Sequence, residues 1–131
     1  MGNDWDMPHS VLIVDDEQSF RLHVGRLLTL RGFEIIGQAG DGDGAMRLAR
    51  SLKPAAVLLD INLPDVDGIE IARRLAQLPS PPRVLLTSAD ADVTPQLVSD
   101  CGATAFIPKD DLPTSDLPSL LSPAGEYGES R

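Results

Sequence analysis

The sequence predicts an α/β fold in which one parallel β-sheet lies between two layers of helices, a three-layer sandwich. Two observations predict it. Short apolar, β-branched runs alternate along the chain with stretches in which apolar residues recur at helical spacing. The runs are continuous rather than alternating, which is typical of strands buried on both faces of a parallel sheet.

Five apolar runs are the candidate strands. They occupy residues 11–14, 33–36, 55–59, 84–86 and 105–107. All are far shorter than the roughly 18 apolar residues that cross a bilayer. The sequence therefore predicts a five-stranded sheet and no membrane span.

Stretches with helical spacing separate these runs, and a short last helix follows them. The apolar positions of the first three helices are Phe20, Val24, Leu27 and Leu28; Ala45, Leu48, Ala49 and Leu52; and Ile71, Ala72, Leu75 and Leu78. The fourth helix is built on Leu97, Val98 and Cys101, and the last on Leu117, Leu120 and Leu121.

Several residues mark where these helices begin and end. Gly32 and Gly102 are expected to close the first and fourth helices, and Asp67 with Gly68 to open the third. Ser115 is expected to cap the last helix, which leaves Pro118 in the first turn, where proline is tolerated.

Length and charge limit the function classes. We expect one domain over residues 11–122, with flexible tails at 1–10 and 123–131. The chain carries 11 basic and 20 acidic residues and a formal charge of −9, which opposes direct binding to nucleic acid or anionic membranes. The N-terminus lacks the basic-then-apolar order of a signal peptide, so we expect a cytoplasmic protein.

Polar residues follow the predicted strands at their carboxyl ends, where ligands bind in parallel α/β sheets. They are Asp15, Asp16 and Glu17 after the first strand, Asp60 after the third, Thr87 and Ser88 after the fourth, and Lys109 after the fifth. Carboxylates placed close together repel one another unless a cation is present. Oxygen-only ligands favour magnesium, manganese or calcium over zinc or copper. We expect Mg²⁺, with Mn²⁺ as a substitute, because Mg²⁺ needs few protein ligands and shares its shell with phosphate oxygens.

This set of residue types indicates phosphoryl chemistry. Asp60, beside a bound metal ion, is the candidate nucleophile that accepts a phosphoryl group as an acyl phosphate. Lys109 would neutralise charge on the phosphoryl oxygens, and the Thr87 hydroxyl could donate a hydrogen bond to one of them.

Four segments resemble the receiver domain of bacterial two-component response regulators: VLIVDDE (11–17), VLLDINLPDVDG (57–68), LLTS (85–88) and FIPK (106–109). The resemblance implies a flavodoxin-like fold with strand order 2-1-3-4-5. It also implies a role for each matching residue: Asp60 as phosphoacceptor; Asp15, Asp16, Asp60 and the backbone carbonyl of Asn62 as metal ligands; Thr87 and Phe106 as switch residues; and Lys109 as the phosphate-pairing lysine.

The same resemblance implies a phosphorylation-dependent signalling switch rather than an enzyme acting on an external substrate. The phosphoryl group would come from a histidine kinase or a phosphotransfer protein. The response would pass to a downstream protein or an output domain through the face of the fourth helix, fifth strand and fifth helix, in a monomer or a phosphorylation-dependent dimer.

Other interpretations of the same residues stay open at this point. A metal-dependent phosphohydrolase would need an acid two residues after the nucleophile, where this chain has Asn62. An interaction module that works without phosphorylation is the main alternative. Lys109 is followed by Asp110 where many family members have proline, and an aromatic strand residue such as Phe106 is equally typical of a core.

Overall fold

Five parallel strands form one sheet, in a computed structural model that describes residues 9–89 and 93–121. The strands are β1 (Ser10–Val14), β2 (Glu34–Ala39), β3 (Ala56–Asp60), β4 (Arg83–Ser88) and β5 (Ala105–Pro108). Their order across the sheet is β2-β1-β3-β4-β5, and every neighbouring pair is parallel. The predicted order and architecture are confirmed.

Helices cover both faces of this sheet. They are α1 (Gln18–Leu30), α2 (Gly42–Leu52), α3 (Gly68–Ala76), α4 (Pro95–Asp100) and α5 (Leu117–Leu121), with a 3-10 helix at Lys109–Thr114. None of the helices in the described ranges is long and apolar enough to cross a membrane.

Successive residues of the central strands supply two separate cores. Leu12, Leu59 and Leu86 pack with residues of α2 and α3, whereas Ile13 and Leu58 pack with residues of α1 and α5. Because neighbouring side chains of a strand point to opposite faces, a run without polar residues fills both cores at once. This is why the strands appear in the sequence as continuous apolar runs.

Four strands continue past the carboxyl ends of their predicted apolar runs. β2 begins after Phe33, which is buried in the core, and continues to Ala39. β3 includes Asp60, and β4 includes Thr87 and Ser88, so these polar residues end strands instead of following them. Asp60 and Thr87 lie opposite each other in the β3–β4 ladder. The apolar runs therefore end at polar side chains, although the backbone ladder continues.

The helix boundaries follow the predicted signals with one exception. Gly32 and Gly102 have positive φ angles of 93° and 83°, and Asp67 caps α3 by accepting a hydrogen bond from the Ile69 N–H. The predicted cap at Ser115 is wrong. Asp116 accepts hydrogen bonds from the Ser119 N–H and hydroxyl, while the Ser115 hydroxyl donates to the Asp111 carbonyl.

Among the elements of the described residues, the segment after β5 is the one that the sequence pattern did not predict. Lys109–Thr114 forms a 3-10 helix whose Leu112 is buried in the core beside α5. Arg31 at the end of α1 donates hydrogen bonds to the carbonyls of Pro113 and Ser115. All peptide bonds of the described residues are trans, including that between Lys109 and Asp110.

The described residues include the predicted start of the domain at residue 11 but not its predicted end at residue 122. Ser10, predicted as part of the tail, begins β1, and its hydroxyl accepts a hydrogen bond from the Ala55 N–H. Residues 1–8 and 122–131 lie outside the described residues, so the flexible tails and the end of the domain at 122 stay predictions.

Gly68 packs closely against the end of β3, and this contact generates a prediction. A Cβ at position 68 would collide with the backbone of Asp60 and Ile61, whereas one at Gly25 in α1 would make an ordinary contact of 3.7 Å with Ile13 Cδ1. We expect Gly68→Ala to lower the free energy of unfolding by about 1–3 kcal/mol through overpacking. Urea denaturation measures the change.

Gly25→Ala is the matched control, since it also replaces a helical glycine. It should raise the free energy of unfolding by about 0.5–1 kcal/mol, because alanine favours the helix. Equal effects of the two substitutions would contradict the close approach at Gly68.

Candidate functional site

Three carboxylates meet at the carboxyl edge of the sheet. Asp15 and Asp16 follow β1, Asp60 ends β3, and one oxygen from each lies within 4.8 Å of those of the other two. Asp15 and Asp60 are buried, with 0% and 3% of their surface exposed, while Asp16 is exposed. The structure therefore brings the predicted acidic residues together, with one facing the solvent.

Lys109 enters this cluster from the end of β5. Its Nζ lies 2.7 Å from Asp15 Oδ2 and 3.4 Å from Asp60 Oδ2. A longer contact of 3.7 Å joins it to Glu17 Oε1, and 12% of the lysine side chain is exposed. The ammonium thus lies between the two buried carboxylates.

Local backbone turns orient these two carboxylates. Asp15 Oδ1 accepts the N–H of Glu17 at 2.8 Å, and Asp60 Oδ1 accepts the N–H of Asn62 at 3.0 Å. Each aspartate is thus fixed by the backbone two residues ahead, a common local hydrogen bond for this residue type. The Oδ2 atoms of both residues remain directed at the ammonium of Lys109.

Burial changes the protonation of this cluster. It raises the pKa of Asp60 from 3.8 to about 6; the Asn62 N–H opposes the rise, the charge of Asp15 adds to it, and Lys109 opposes it. Burial alone would lower the pKa of Lys109, but its hydrogen bond to Asp15 and the charges of Asp60 and Asp15 outweigh burial and raise the pKa. Lys109 is therefore a cation at neutral pH.

The other predicted site residues lie around this cluster. The buried Thr87 hydroxyl donates a hydrogen bond of 2.7 Å to the Ile107 carbonyl, so it is directed at β5. Ser88 accepts a hydrogen bond of 3.1 Å from the Asn62 side chain. Phe106 is half-buried and packs against the core that faces α2 and α3.

The donor set fits a hard divalent cation. Asp15, Asp16 and Asp60 offer only oxygen atoms, and among the described residues Lys109 is the cation whose ammonium meets the carboxylates of the buried pair. Their combined charge exceeds that of one ammonium, so a cation would relieve the remaining repulsion. Oxygen ligands with an exposed member suit Mg²⁺, which keeps several of its waters.

The chain matches a family model over most of its length. The model is that of the response regulator receiver domain, and it covers residues 11–119. The chain belongs to the receiver domain family.

Curated proteins and solved structures similar to this chain support the same family. This receiver domain is 37% identical over 125 residues to the transcriptional regulatory protein PdtaR from Mycobacterium tuberculosis, a match that covers 95% of this chain and 58% of the relative. A two-component response regulator of the LuxR family from Aurantimonas sp. SI85-9A1 superposes with a TM-score of 0.78 at 26% identity, covering 86% of this chain and 82% of the other.

A third relative is the CheX–CheY–BeF₃–Mg²⁺ complex from Borrelia burgdorferi. The TM-score is 0.71 at 34% identity, and the match covers 82% of each chain. The receiver domain described here spans between about a third and three-fifths of the length of the first curated relatives that it matches. The receiver domain family is a signalling family, phosphorylated by histidine kinases and linked to output domains.

Two residues that contact the site of this receiver domain, Phe20 and Arg21, were not predicted as part of it, and neither was the hydrogen bonding of Asp65. Phe20 in α1 places its ring 4.2 Å from Lys109 Nζ, and Arg21 donates a hydrogen bond of 2.6 Å to the Asp15 carbonyl. Asp65 accepts the N–H groups of Gly42 and Asp43, which lower its pKa, Gly42 most strongly. Phe20 matched the helical apolar pattern, so no sequence signal separated it from ordinary core residues.

The raised pKa of Asp60 generates a prediction about stability. A carboxyl whose pKa is higher in the folded than in the unfolded state favours folding when protonated, so this contribution is present below about pH 4 and is lost as pH rises through about 6. Asp60→Asn should therefore raise the free energy of unfolding of the metal-free protein at pH 7.5. A shift of this size corresponds to about 3 kcal/mol at most, which solvent screening reduces to about 1–2 kcal/mol.

Urea denaturation in EDTA from pH 4 to pH 8 tests this expectation. Asp60→Asn should be more stable than the wild type above pH 6 and similar to it at pH 4. Asp110→Asn, at an exposed position next to Lys109, is the control and should follow the wild type throughout. A constant difference between Asp60→Asn and the wild type at every pH would contradict the assignment.

Proposed function

We propose that this receiver domain is a phosphorylation-dependent switch in which Asp60 accepts a phosphoryl group from the phosphohistidine of a histidine kinase or a phosphotransfer protein. The observation that carries the proposal is the arrangement at the carboxyl edge of the sheet. Asp60 is buried, and its Oδ2 lies 3.4 Å from the Lys109 ammonium. It belongs to a cluster of carboxylates that fits a divalent cation.

The proposed step transfers the phosphoryl group between two side chains. A carboxylate oxygen of Asp60 forms a bond to phosphorus while the phosphorus–nitrogen bond of the phosphohistidine breaks. The histidine, protonated on its other ring nitrogen, takes the electron pair of that bond and leaves as neutral imidazole. The product is an acyl phosphate on Asp60. Lys109 would remain charged and attract the phosphoryl oxygens, which is where negative charge accumulates during the transfer.

Mg²⁺, with Mn²⁺ as a substitute, is the proposed cofactor. Asp15, Asp16, Asp60 and the backbone carbonyl of Asn62 would hold it, and the ion would supply positive charge for the phosphoryl oxygens. The Borrelia burgdorferi relative forms a complex that contains Mg²⁺ and BeF₃, which supports this choice. The N–H groups of Glu17 and Asn62 each hold one oxygen of the buried Asp15 and Asp60.

Thr87 and Phe106 are the proposed switch residues. In this structure the Thr87 hydroxyl donates to the Ile107 carbonyl, at 2.7 Å. We propose that a phosphoryl group on Asp60 attracts this hydroxyl instead and that the half-buried Phe106 ring then moves inward. Such a change biases a two-state equilibrium only by the difference in free energy between the two arrangements.

The proposed readout is the surface formed by α4, β5 and α5. Phe106 lines a groove of about 440 Å³ on this surface, together with Val98 and Ala103. A downstream protein or an output domain is the proposed partner there, and the receiver domain is proposed to act as a monomer or a phosphorylation-dependent dimer. The relative PdtaR is a transcriptional regulatory protein, which supports an output that regulates transcription.

Intact-mass spectrometry after incubation with acetyl phosphate and Mg²⁺ tests the phosphoacceptor. We expect one phosphoryl adduct on the wild type, none on Asp60→Asn and none in EDTA. Lys109→Ala should reduce the adduct strongly. Removing a cation that stabilises the phosphoryl oxygens raises the activation free energy by several kcal/mol, which lowers the rate by about 100-fold or more.

Asp110→Asn is the matched control for this experiment because it removes an exposed carboxylate next to Lys109. It should be labelled like the wild type. An adduct that persists in Asp60→Asn would move the site elsewhere, and no adduct on the wild type would favour the interaction module that works without phosphorylation.

Metal binding is tested separately by thermal unfolding. A ligand that binds only the folded state at about 100 times its dissociation constant raises the free energy of unfolding by about 2.7 kcal/mol. We expect such stabilisation by Mg²⁺ for the wild type and much less for Asp16→Asn, whose exposed side chain tolerates the change. Equal stabilisation of both proteins would contradict Asp16 as a ligand.

A further inference from the structure

We propose that Phe20 is a positioning residue for Lys109, and that its ring face holds the ammonium beside Asp60 through a cation–π contact. The inference rests on the proposed function, because it concerns how Lys109 meets the phosphoryl group on Asp60. It adds a residue from α1 to a site otherwise built from the ends of strands.

The geometry of the contact is favourable. Lys109 Nζ lies 4.2 Å from the centroid of the Phe20 ring, well inside the range of about 6 Å over which a ring face attracts a cation. Only 12% of the lysine side chain is exposed. Little water therefore competes with the ring for the ammonium, and desolvation strengthens such contacts.

The start of α1 is fixed to the sheet, which fixes the ring as well. Arg21, next to Phe20, donates a hydrogen bond of 2.6 Å to the Asp15 carbonyl and one of 3.1 Å to Gln38 at the end of β2. Phe20 itself packs against the core beneath α1 and α5. The ring is thus held in a set position relative to Asp15.

Within residues 9–89 and 93–121, the other contacts of the ammonium belong to candidate metal ligands or to the solvent side. Asp15 and Asp60, at 2.7 Å and 3.4 Å, are expected to bind the divalent cation, and Glu17 at 3.7 Å is 65% exposed. A cation at Asp15 and Asp60 would compete with Lys109 for the same carboxylates. Phe20 makes the contact that this competition leaves unchanged.

Packing alone explains an apolar residue at position 20 but not the placement of a charge over the ring face. A leucine would fill the space beneath α1, yet it has no quadrupole with a negative face. We therefore infer that the aromatic ring keeps the ammonium directed at Asp60 when the metal site is loaded.

The first test measures the rate at which acetyl phosphate with Mg²⁺ labels Asp60. Phe20→Leu should lower this rate by about 2- to 30-fold. The lower figure corresponds to the strength of a solvent-exposed cation–π contact and the higher figure to that of a desolvated one. Replacing Phe20 by phenylalanines with one, two and three ring fluorines should lower the rate stepwise, because fluorine weakens the negative ring face while the shape is nearly kept.

Phe33→Leu is the matched control, since Phe33 lies in the same core and is 5% exposed. It makes a ring contact with His9 and none is recorded with Lys109 in the described part of the chain. It should lower stability and leave the labelling rate close to that of the wild type. A rate that falls equally in Phe20→Leu and Phe33→Leu would reduce Phe20 to a packing residue.

The second test does not depend on phosphorylation. In NMR spectra the ε-methylene protons of Lys109 should be shifted upfield by the ring current of Phe20, with and without Mg²⁺, and Phe20→Leu should remove the shift. If the wild type were not labelled at all, the proposed function would fail, and this shift would still decide whether the contact exists.

Two further results would overturn the inference. One is a Lys109 ε-methylene shift that is the same in the wild type and in Phe20→Leu. The other is a labelling rate that is independent of the number of ring fluorines, because a cation–π contact must weaken as the ring face loses negative charge.

Discussion

The ion pair that Lys109 forms with Asp15 and Asp60 is the constraint on which the rest of the site depends. Two buried carboxylates repel each other, and burial of a charge is costly unless a counter-charge lies beside it. The ammonium lies 2.7 Å and 3.4 Å from them, close enough to offset part of that repulsion. Burial nevertheless raises the pKa of Asp60 to about 6, and the charge of Asp15 adds to the rise. The three carboxylates together carry more charge than one ammonium, so a further cation would offset the remaining repulsion.

The surrounding structure keeps these charges where they are. Backbone N–H groups of Glu17 and Asn62 hold one oxygen of each buried aspartate, and the other oxygens face the ammonium. Gly68 lets α3 approach the end of β3 so closely that no Cβ fits between them. The apolar strands behind the site form a rigid support, because both faces of the sheet are packed. The carboxylates are therefore positioned by the backbone and by packing.

Much of this arrangement was predictable because each part leaves a local sequence signal. Continuous apolar runs predicted the buried parallel strands, and Gly32, Asp67 and Gly102 marked helix ends through their own backbone preferences. The cap at Ser115 was predicted wrongly because serine and aspartate are both good caps and stand side by side in the sequence. The predicted ends of β3 and β4 came too early in the sequence. The pairing of Asp60 with Thr87 depends on hydrogen bonds to a neighbouring strand, not on the apolar character of the residues.

The sequence by itself determined the fold class, the strand order implied by its family motifs, and the residue types at the carboxyl edge of the sheet, because these depend on local patterns and on their order along the chain. Only the tertiary structure decided which oxygen of Asp15 and Asp60 faces Lys109, that the Thr87 hydroxyl is directed at Ile107, and that Phe20 lies under the ammonium. The physical reason is that these contacts join residues far apart in sequence, and their distances and side-chain orientations follow from how helices pack on the sheet. A helical apolar pattern predicts that Phe20 is buried, but it contains no information on which charge its ring will meet.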